Sequence, residues 1–452
     1  MKHTATTAKR DPAGLKLSYL ILQGLASPFF VRLAQKLANE GARVHRVNFC
    51  GGDRWFSRTR HKNISHSRFN GPQETLSDYY RALIKQHAVT DIVLFGDCRP
   101  IHKIARAVAA DLGLAVWVFE EGYIRPGFVT CEKEGSNDLS CLPRQAKAVT
   151  MRAQQTENEQ PPHRALLPNP LPRRVRMDFA FHFWNLLLRP LYFRYKSHRP
   201  ETMTAELAGW AARLAQKWRY RHTNAALVAH YETGTSDTGS NPFFFVPLQL
   251  NSDFQIREHS DYSNILDFIC DVVASFARHA PKNTRLMFKS HPLDNGMADY
   301  RNYIAMAAIK HSIQDRVDYL EGGVLDLYLQ HTAGLVLINS TVGYAALAAG
   351  KPLKVMGRAL YNMAGLTNQK PLDKFWKKPE IPDKNLVADF LKVIRADSQI
   401  PGDFFTRQGI EMAATAAMRR LLQKQQRPEG VTQPETANEK SDDTKMQEIK
   451  AQ

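Results

Sequence analysis

The chain has 452 residues and a mass of 51.3 kDa, with 61 Lys and Arg against 44 Asp and Glu and a formal net charge of +17. This length predicts two or three domains, and a composition of 43% hydrophobic and 10% aromatic residues excludes a disordered or fibrous chain. The five scattered cysteines form no CxxC pair, which argues against a disulfide framework or a zinc site and fits a reducing compartment. Neither a secretory signal nor a membrane-spanning helix is expected, because no apolar leader and no run of 18 apolar residues is present.

The first 150 residues alternate short apolar runs with amphipathic helical patterns. Strands are predicted at 16–24, 42–49, 91–97 and 114–122, and helices at 26–41, 76–87 and 101–112. Alternation of this kind predicts a parallel sheet with right-handed crossovers.

The second half repeats this logic. Strands are predicted at 241–250, 284–292, 317–323 and 333–341, with helices at 263–280 and 342–350. The sequence therefore predicts two Rossmann-like lobes that face a central cleft. The expected division is 1–150 for the first lobe, 151–225 for a linker or insertion, 226–422 for the second lobe and 423–452 for a disordered tail.

Much of the positive charge lies between the lobes, where residues 144–221 carry 15 Lys and Arg against five Asp and Glu. Within this stretch the segment 177–195 is dense in aromatics and is interrupted by Arg189-Pro190. Its basic flanks are Arg173, Arg174, Arg176, Lys196 and Arg199. Aromatic rings with basic flanks are typical of an interfacial contact with an anionic membrane. The alternative is a helix packed between the lobes with solvated arginines. Nucleic-acid binding is not expected, because no recognised motif accompanies the charge.

Five loops at predicted strand ends carry polar groups, and ligands of open α/β sheets bind at such ends. They are 51–54, 96–100, 120–126, 289–292 and 339–341. A carboxylate there suits a general base or a nucleophile at an anomeric carbon. Ser340-Thr341, which open a helix, and His291 beside Lys289 suit a phosphate. Neither GxGxxG nor GxxxxGK[ST] occurs, and no metal-ligand spacing is found, so no metal or other cofactor is expected.

At these loops the sequence resembles the capsule polysaccharide biosynthesis and export family called KpsS/LipB. The resemblance covers about 17–145 and 240–375. It is carried by QGLASPFFVRLAQKL, VHRVNFCGGDRWF, LFGDCRPIH, VFEEGYIRPGFVTCE, VPLQLNSDFQI, FKSHPLD and NSTVGYAALAAGKPLKVMG. It implies an α/β, GT-B-like fold and a retaining β-Kdo transferase. Such an enzyme moves Kdo from CMP-β-Kdo to a lysophospholipid and starts the poly-Kdo linker of Gram-negative capsules. The implied location is the cytoplasmic face of the inner membrane, beside other capsule assembly proteins.

The family is also similar to bacterial sialyltransferases, and this likeness implies roles for matching residues. Glu121, with Glu120 beside it, matches the acidic catalytic motif, although aspartate is common there. His291-Pro292 and Ser340-Thr341 match the nucleotide and phosphate contacts. Pro247, Leu248, Gln249, Asp253 and Gln255 match a motif near the donor. Lys289, beside His291, is also assigned to nucleotide-sugar binding. The acceptor or the sugar carboxylate is assigned to Asp53, Asp97, Arg99, His102 and Arg125.

Two other functions stay open at this point. One is a transferase that uses a different nucleotide sugar, such as CMP-sialic acid or a UDP-sugar. The other is a non-catalytic component of a capsule export assembly.

Overall fold

The computed structural model describes residues 17–157, 167–195, 203–234, 241–250, 256, 258–294 and 296–423. The predicted tail beyond its first residue, Gln423, lies outside the described residues, as do Lys196, Arg199, Asp253 and Gln255. The predicted α/β architecture is confirmed, with two sheets that each form the centre of a lobe.

The N-terminal lobe contains a seven-stranded sheet in the order β12-β6-β5-β4-β1-β2-β3. Its strands are β1 Ser18–Ile21, β2 Arg43–Asn48, β3 Ile64–Arg68, β4 Asp91–Phe95, β5 Ala115–Glu121, β6 Phe128–Lys133 and β12 Gln399–Pro401. Strands β1 to β5 are parallel, as predicted. β6 and β12 are antiparallel additions that the parallel pattern does not predict.

The C-terminal lobe contains a parallel five-stranded sheet in the order β11-β10-β7-β8-β9. Its strands are β7 Phe243–Pro247, β8 Arg285–Lys289, β9 Val317–Leu320, β10 Gly334–Leu337 and β11 Leu353–Val355. Counted within each lobe, strands one to five follow the Rossmann order 3-2-1-4-5. The strand order therefore reverses between β1 and β4 and again between β7 and β10.

Helices cover both faces of the sheets. They are α1 Phe29–Asn39, α2 Gly51–Phe56, α3 Leu76–His87, α4 Pro100–Leu112, α5 Ala146–Gln155, α6 Leu171–Leu187, α7 Met203–Arg219, α8 Arg221–Thr233, α9 Ile265–His279, α10 Tyr300–Lys310, α11 Leu325–His331, α12 Val342–Ala348, α13 Leu372–Phe375, α14 Lys384–Asp397 and α15 Arg407–Gln423. Over the described part of the chain, every helix is too short or too polar to cross a bilayer.

The end of the chain returns to the N-terminal lobe. Strand β12 pairs with β6, and α15 packs on α1 through Ala413, Ala414 and Ala417 in the same core as Leu33 and Leu37. Residues 399–423 thus complete the first lobe, which corrects the expected assignment of 226–422 to the second lobe alone. The small side chains of α15 allow this close helix packing, and α14 carries the chain across the boundary against α5.

Helix α6 packs on the N-terminal lobe through two glycines. A Cβ at Gly51 would lie 2.1 Å from the Trp184 carbonyl oxygen, and one at Gly52 would lie 2.2 Å from the Phe181 ring. The Gly52 N–H also donates to Asn185 Oδ1 at 2.7 Å. The Gly51-Gly52 pair, expected in a loop, forms the start of α2. Glycine is needed at both positions because α6 lies directly on them and leaves no room for a side chain.

Candidate functional site

A cavity of about 1100 Å³ lies between the two lobes at the carboxyl ends of the strands. The β5–β6 connection forms one wall, and the ends of β7, β8 and β10 form the other. Its polar lining includes five of the predicted site residues, which are Arg125, Lys289, His291, Ser340 and Thr341. The volume is slightly above the usual range for small-molecule sites. The strand-end loops that the sequence singles out in both lobes thus converge here.

The geometry of His291 fixes which ring nitrogen faces a ligand. Nδ1 accepts a hydrogen bond from the Leu293 N–H at 3.1 Å. Burial, followed by the charges of Arg125, Lys289, Arg174 and Arg213, lowers the pKa of His291 to about 4. At neutral pH the ring is therefore uncharged, and its proton is on Nε2. His291 can donate that proton in a hydrogen bond to a phosphoryl oxygen.

Cations crowd this end of the cavity. Arg213 is buried beneath His291, donates to its carbonyl oxygen at 3.4 Å and lies 3.4 Å from Glu321 Oε2. Burial and the nearby Arg213 lower the pKa of Lys289, which is the last residue of β8. Positive charges that lower the pKa of Lys289 and His291 favour an anionic ligand, because a negative group relieves the repulsion.

Gln249 and Asn339 hydrogen-bond to each other where the strand order of the second sheet reverses, between β7 and β10. Gln249 Nε2 donates to Asn339 Oδ1 at 2.9 Å, and the Asn339 N–H donates to Gln249 Oε1 at 3.2 Å. This pair joins the end of β7 to the end of β10 and leads directly into Ser340. Gln249 therefore acts on the cavity through Asn339, since the cavity wall at β7 is formed by Pro247 and Leu248.

Ser340 is positioned from behind by Tyr361. The Tyr361 hydroxyl donates to the Ser340 carbonyl at 2.6 Å, and a Cβ at Gly343 would lie 2.5 Å from the tyrosine ring. The Ser340 Oγ accepts from the N–H of Val342, the first residue of α12, at 3.3 Å, and Ser340 lines the cavity. Glycine at 343 is thus required for the tyrosine to approach.

Glu121 lies in an adjoining cavity of about 490 Å³ between α6 and the N-terminal sheet. Its Oε1 is 2.9 Å from Nη1 of Arg174, and both side chains are about 31% exposed. Glu120, on the other side of the β5 strand end, accepts from Asn137 Nδ2 at 2.7 Å. The residues predicted to bind the donor and the acidic residue Glu121 therefore line neighbouring cavities. The charge of Arg174, which lines the cavity of Glu121, also contributes to the lowered pKa of His291 in the other cavity.

The residues assigned to the acceptor or sugar carboxylate divide into two groups. Arg125 lines the large cavity, and Arg99 lines the cavity that contains Glu121. Asp53, Asp97 and His102 are buried and line neither of these cavities. They hold loops instead, as their partners show.

Each buried group has such a partner. Asp53 Oδ2 accepts from Gln23 Nε2 at 2.9 Å, and His102 Nδ1 lies 2.6 Å from the Gly96 carbonyl oxygen. Asp97 Oδ2 accepts from the Ser136 N–H at 2.9 Å.

Two features escape sequence reasoning. Arg174, expected at a membrane surface, turns inward to Glu121 and lies over the Phe405 ring, which corrects that assignment. Tyr123 stacks on Tyr344 across the two lobes with ring centroids 5.1 Å apart. Both features depend on residues far apart in the chain, so no local pattern marks them.

Glu132 supports Tyr123 and should make stability depend on pH. It accepts from the Tyr123 hydroxyl at 2.6 Å, and burial raises its pKa from 4.5 to about 7. Between pH 4.5 and about pH 7, Glu132 releases its proton in the unfolded chain but keeps it in the folded chain. The free energy of unfolding therefore falls as pH rises from 4.5 to about 7.

We expect Glu132→Gln to flatten this dependence, because glutamine is neutral throughout. Urea midpoints at pH 5 and pH 8 measure it, with Glu134→Gln on the same hairpin as the control. Equal pH slopes in wild type and Glu132→Gln would contradict the assignment.

The two Rossmann-like lobes, with an anion-binding cavity between their strand ends, define a GT-B-like α/β protein. The chain belongs to the capsule polysaccharide biosynthesis protein family, whose model matches residues 90–405. The family predicted from the sequence motifs is thereby confirmed.

Relatives that match over most of the chain include the following two. It is 34% identical over 396 residues to the capsule polysaccharide modification protein LipB of Neisseria meningitidis serogroup A, covering 86% of this chain and 91% of that protein. It is 33% identical to the capsule polysaccharide export protein KpsS of Escherichia coli, covering 86% and 96%. Among solved structures, the β-Kdo 2,7 transferase KpsC of Thermosulfurimonas dismutans matches 90% of this chain and 99% of that chain, with 14% identity and a TM-score of 0.42.

Proposed function

We propose that this protein is a retaining glycosyltransferase that moves Kdo from CMP-β-Kdo to a lysophosphatidylglycerol-type lysophospholipid. The reaction would start the poly-Kdo linker of a Gram-negative capsule. The main support for this proposal is the cavity of about 1100 Å³. It is lined by Arg125, Lys289 and the neutral His291 together with the hydroxyl residues Ser340 and Thr341. Relatives named as capsule polysaccharide modification and export proteins support the same process.

The donor has two negative groups, and the cavity offers partners for both. His291 Nε2 and Lys289 would hold the phosphate, with Ser340 and Thr341 as hydroxyl donors. Arg125, on the opposite wall, would bind the Kdo carboxylate. Charge on the departing CMP would be stabilised by these fixed donors, so we propose that transfer needs no metal or other cofactor in this cavity.

Glu121 is the proposed catalytic carboxylate. Arg174 pairs with it at 2.9 Å in the cavity under α6, where an acceptor hydroxyl would enter. Retention favours Glu121 as the nucleophile in a double displacement, and a general base is the alternative. In either role the Glu121–Arg174 ion pair must open or shift, because Arg174 occupies Oε1 of the carboxylate that would have to react.

Helix α6 is the proposed contact with an anionic membrane at the inner face of the inner membrane. Its outward face carries a stripe of exposed apolar side chains, referred to below as the α6 stripe. They are Leu171, Val175, Phe179, Phe183, Leu186 and Leu187. Exposed arginines flank the stripe at 173, 176 and 189. The apolar face suits the acyl boundary and the arginines suit anionic headgroups. The same surface would bring a lipid acceptor to the cavity under α6.

The test is a transfer assay with CMP-Kdo made in situ and a fluorescent lysophosphatidylglycerol, analysed by mass spectrometry. We expect a mass increase of one Kdo residue on the lipid. A parallel reaction with CMP-sialic acid and a UDP-sugar distinguishes the donor. Turnover of another donor only would overturn the Kdo assignment. No turnover, together with recovery of capsule assembly proteins, would indicate a non-catalytic export component.

A further inference from the structure

Three buried side chains from different parts of the chain bring ligand atoms together at the boundary of the lobes. Cys98 Sγ is 3.2 Å from Asp97 Oδ1 and 3.2 Å from His259 Nε2, and the three atoms lie within 4.8 Å of one another. Their residues are 7%, 0% and 3% exposed. None of them lines the donor cavity or the cavity under α6.

The outer oxygen of Asp97 is hydrogen-bonded, and the outer nitrogen of His259 is buried with no hydrogen-bond partner but faces a carboxylate. Asp97 Oδ2 accepts from the Ser136 N–H at 2.9 Å and lies 3.3 Å from its hydroxyl. His259 Nδ1 lies 3.5 Å from Asp138 Oδ2, which also pairs with Arg358. A carboxylate behind the far nitrogen of a ligating histidine is the common support of a protein metal site. The inner atoms Oδ1, Sγ and Nε2 contact one another: the Cys98 thiol donates to Asp97 Oδ1, and its sulfur is also within hydrogen-bond distance of His259 Nε2.

The spacing of these atoms fits one class of metal ion. Tetrahedral zinc, with Zn–S near 2.3 Å and Zn–N near 2.0 Å, places its sulfur and nitrogen ligands about 3.5 Å apart. The observed Sγ–Nε2 separation of 3.2 Å is a few tenths of an ångström shorter, and the Sγ–Oδ1 separation is also 3.2 Å. One thiolate, one imidazole and one carboxylate form a set that zinc prefers to magnesium or calcium.

We propose that Asp97, Cys98 and His259 bind a zinc-class divalent ion that joins the two lobes. On binding, the Cys98 thiol gives its proton to solvent and the thiolate bonds to the metal. The ion would fix the end of β4 to the segment before α9. The His259 carbonyl accepts from Asn339 Nδ2 at 3.2 Å, so the site connects to the donor-cavity wall. It is a site for lobe alignment and stands independently of the proposed transfer reaction.

The first experiment measures the metal directly. Protein purified without a polyhistidine tag or chelator is expected to contain one zinc ion per chain by elemental analysis. Chelated protein titrated with cobalt(II) is expected to show a thiolate-to-cobalt absorption band in the near ultraviolet. No zinc above background, together with no such band, would overturn the proposal whether or not any variant folds.

Variants then locate the ion. We expect Cys98→Ser to lose the cobalt band and His259→Gln to weaken it. Cys270→Ser, which changes an exposed cysteine on α9, should keep both zinc and band. Zinc and band retained in Cys98→Ser, or lost equally in Cys270→Ser, would place the metal elsewhere and refute the site. Thermal unfolding with and without chelator checks lobe alignment, with a lower midpoint expected on metal removal.

Discussion

Glu121→Gln is expected to lower kcat for Kdo transfer by about 10²–10⁴-fold while CMP affinity changes little. Glutamine keeps the shape of the side chain and can still contact Arg174, but it cannot accept a proton or form a glycosyl ester. CMP affinity should persist because Glu121 does not line the donor cavity, where the phosphate contacts are. Steady-state transfer rates and CMP titration by thermal shift measure the two quantities separately.

His291→Gln should give the complementary result, with weaker CMP binding and reduced transfer. The histidine donates from Nε2, and glutamine cannot place a donor at that point with the same rigidity. Glu380→Gln, an exposed pair partner of Lys370, is the control for surface charge and should match wild type. Normal transfer by both Glu121→Gln and His291→Gln would refute the catalytic assignment.

The role of Glu121 can be resolved further with the wild-type enzyme and donor alone. A nucleophile forms a bond from its carboxylate oxygen to the anomeric carbon as CMP leaves. A peptide containing Glu121 would then carry the mass of one Kdo residue, absent in Glu121→Gln. Absence of that adduct in rapidly quenched wild-type samples would favour the general-base role.

The sequence predicts the two sheets because their strands are buried runs that end in polar loops. LFGD and LINST show this pattern at the ends of β4 and β10, and both positions lie at a reversal of strand order. Strand ends of a parallel sheet lie at one edge, so the donor residues could be collected from local signals. This part of the site needed no knowledge of long-range contacts.

Other features depend on contacts that local patterns do not encode. Strand β12 has three residues, and its partner β6 precedes it by some 270 positions. Neither the period of the hydrophobic pattern nor the β-propensity of the residues therefore identifies the pairing. The same holds for Glu121 with Arg174 and for Cys98 with His259. In each case the fold brings together residues that, taken one at a time in the sequence, carry no special signal. Tertiary packing also decides that Arg174 faces Glu121 while Arg173 and Arg176 remain exposed.

Replacing Phe179 and Phe183 of the α6 stripe with serine is expected to weaken binding to anionic vesicles at least tenfold. The two rings are 66% and 48% exposed, so their removal leaves the packed face of α6 in place. Full burial of a phenylalanine side chain contributes roughly 1.5–3 kcal/mol, and 1.4 kcal/mol is about a tenfold change in affinity. Sedimentation with vesicles containing phosphatidylglycerol measures the bound fraction.

A matched control changes exposed apolar side chains on another face. Met306 and Ile309 on α10 are each 62% exposed, and their serine variants should bind vesicles as wild type does. Arg173→Gln with Arg176→Gln should reduce binding to anionic but not neutral vesicles and weaken its salt dependence. Arg174 is left unchanged because it pairs with Glu121, so a lipid effect would be mixed with a catalytic one. Equal binding to neutral and anionic vesicles, or equal losses in the α6 and α10 variants, would show that the α6 stripe does not specify membrane contact.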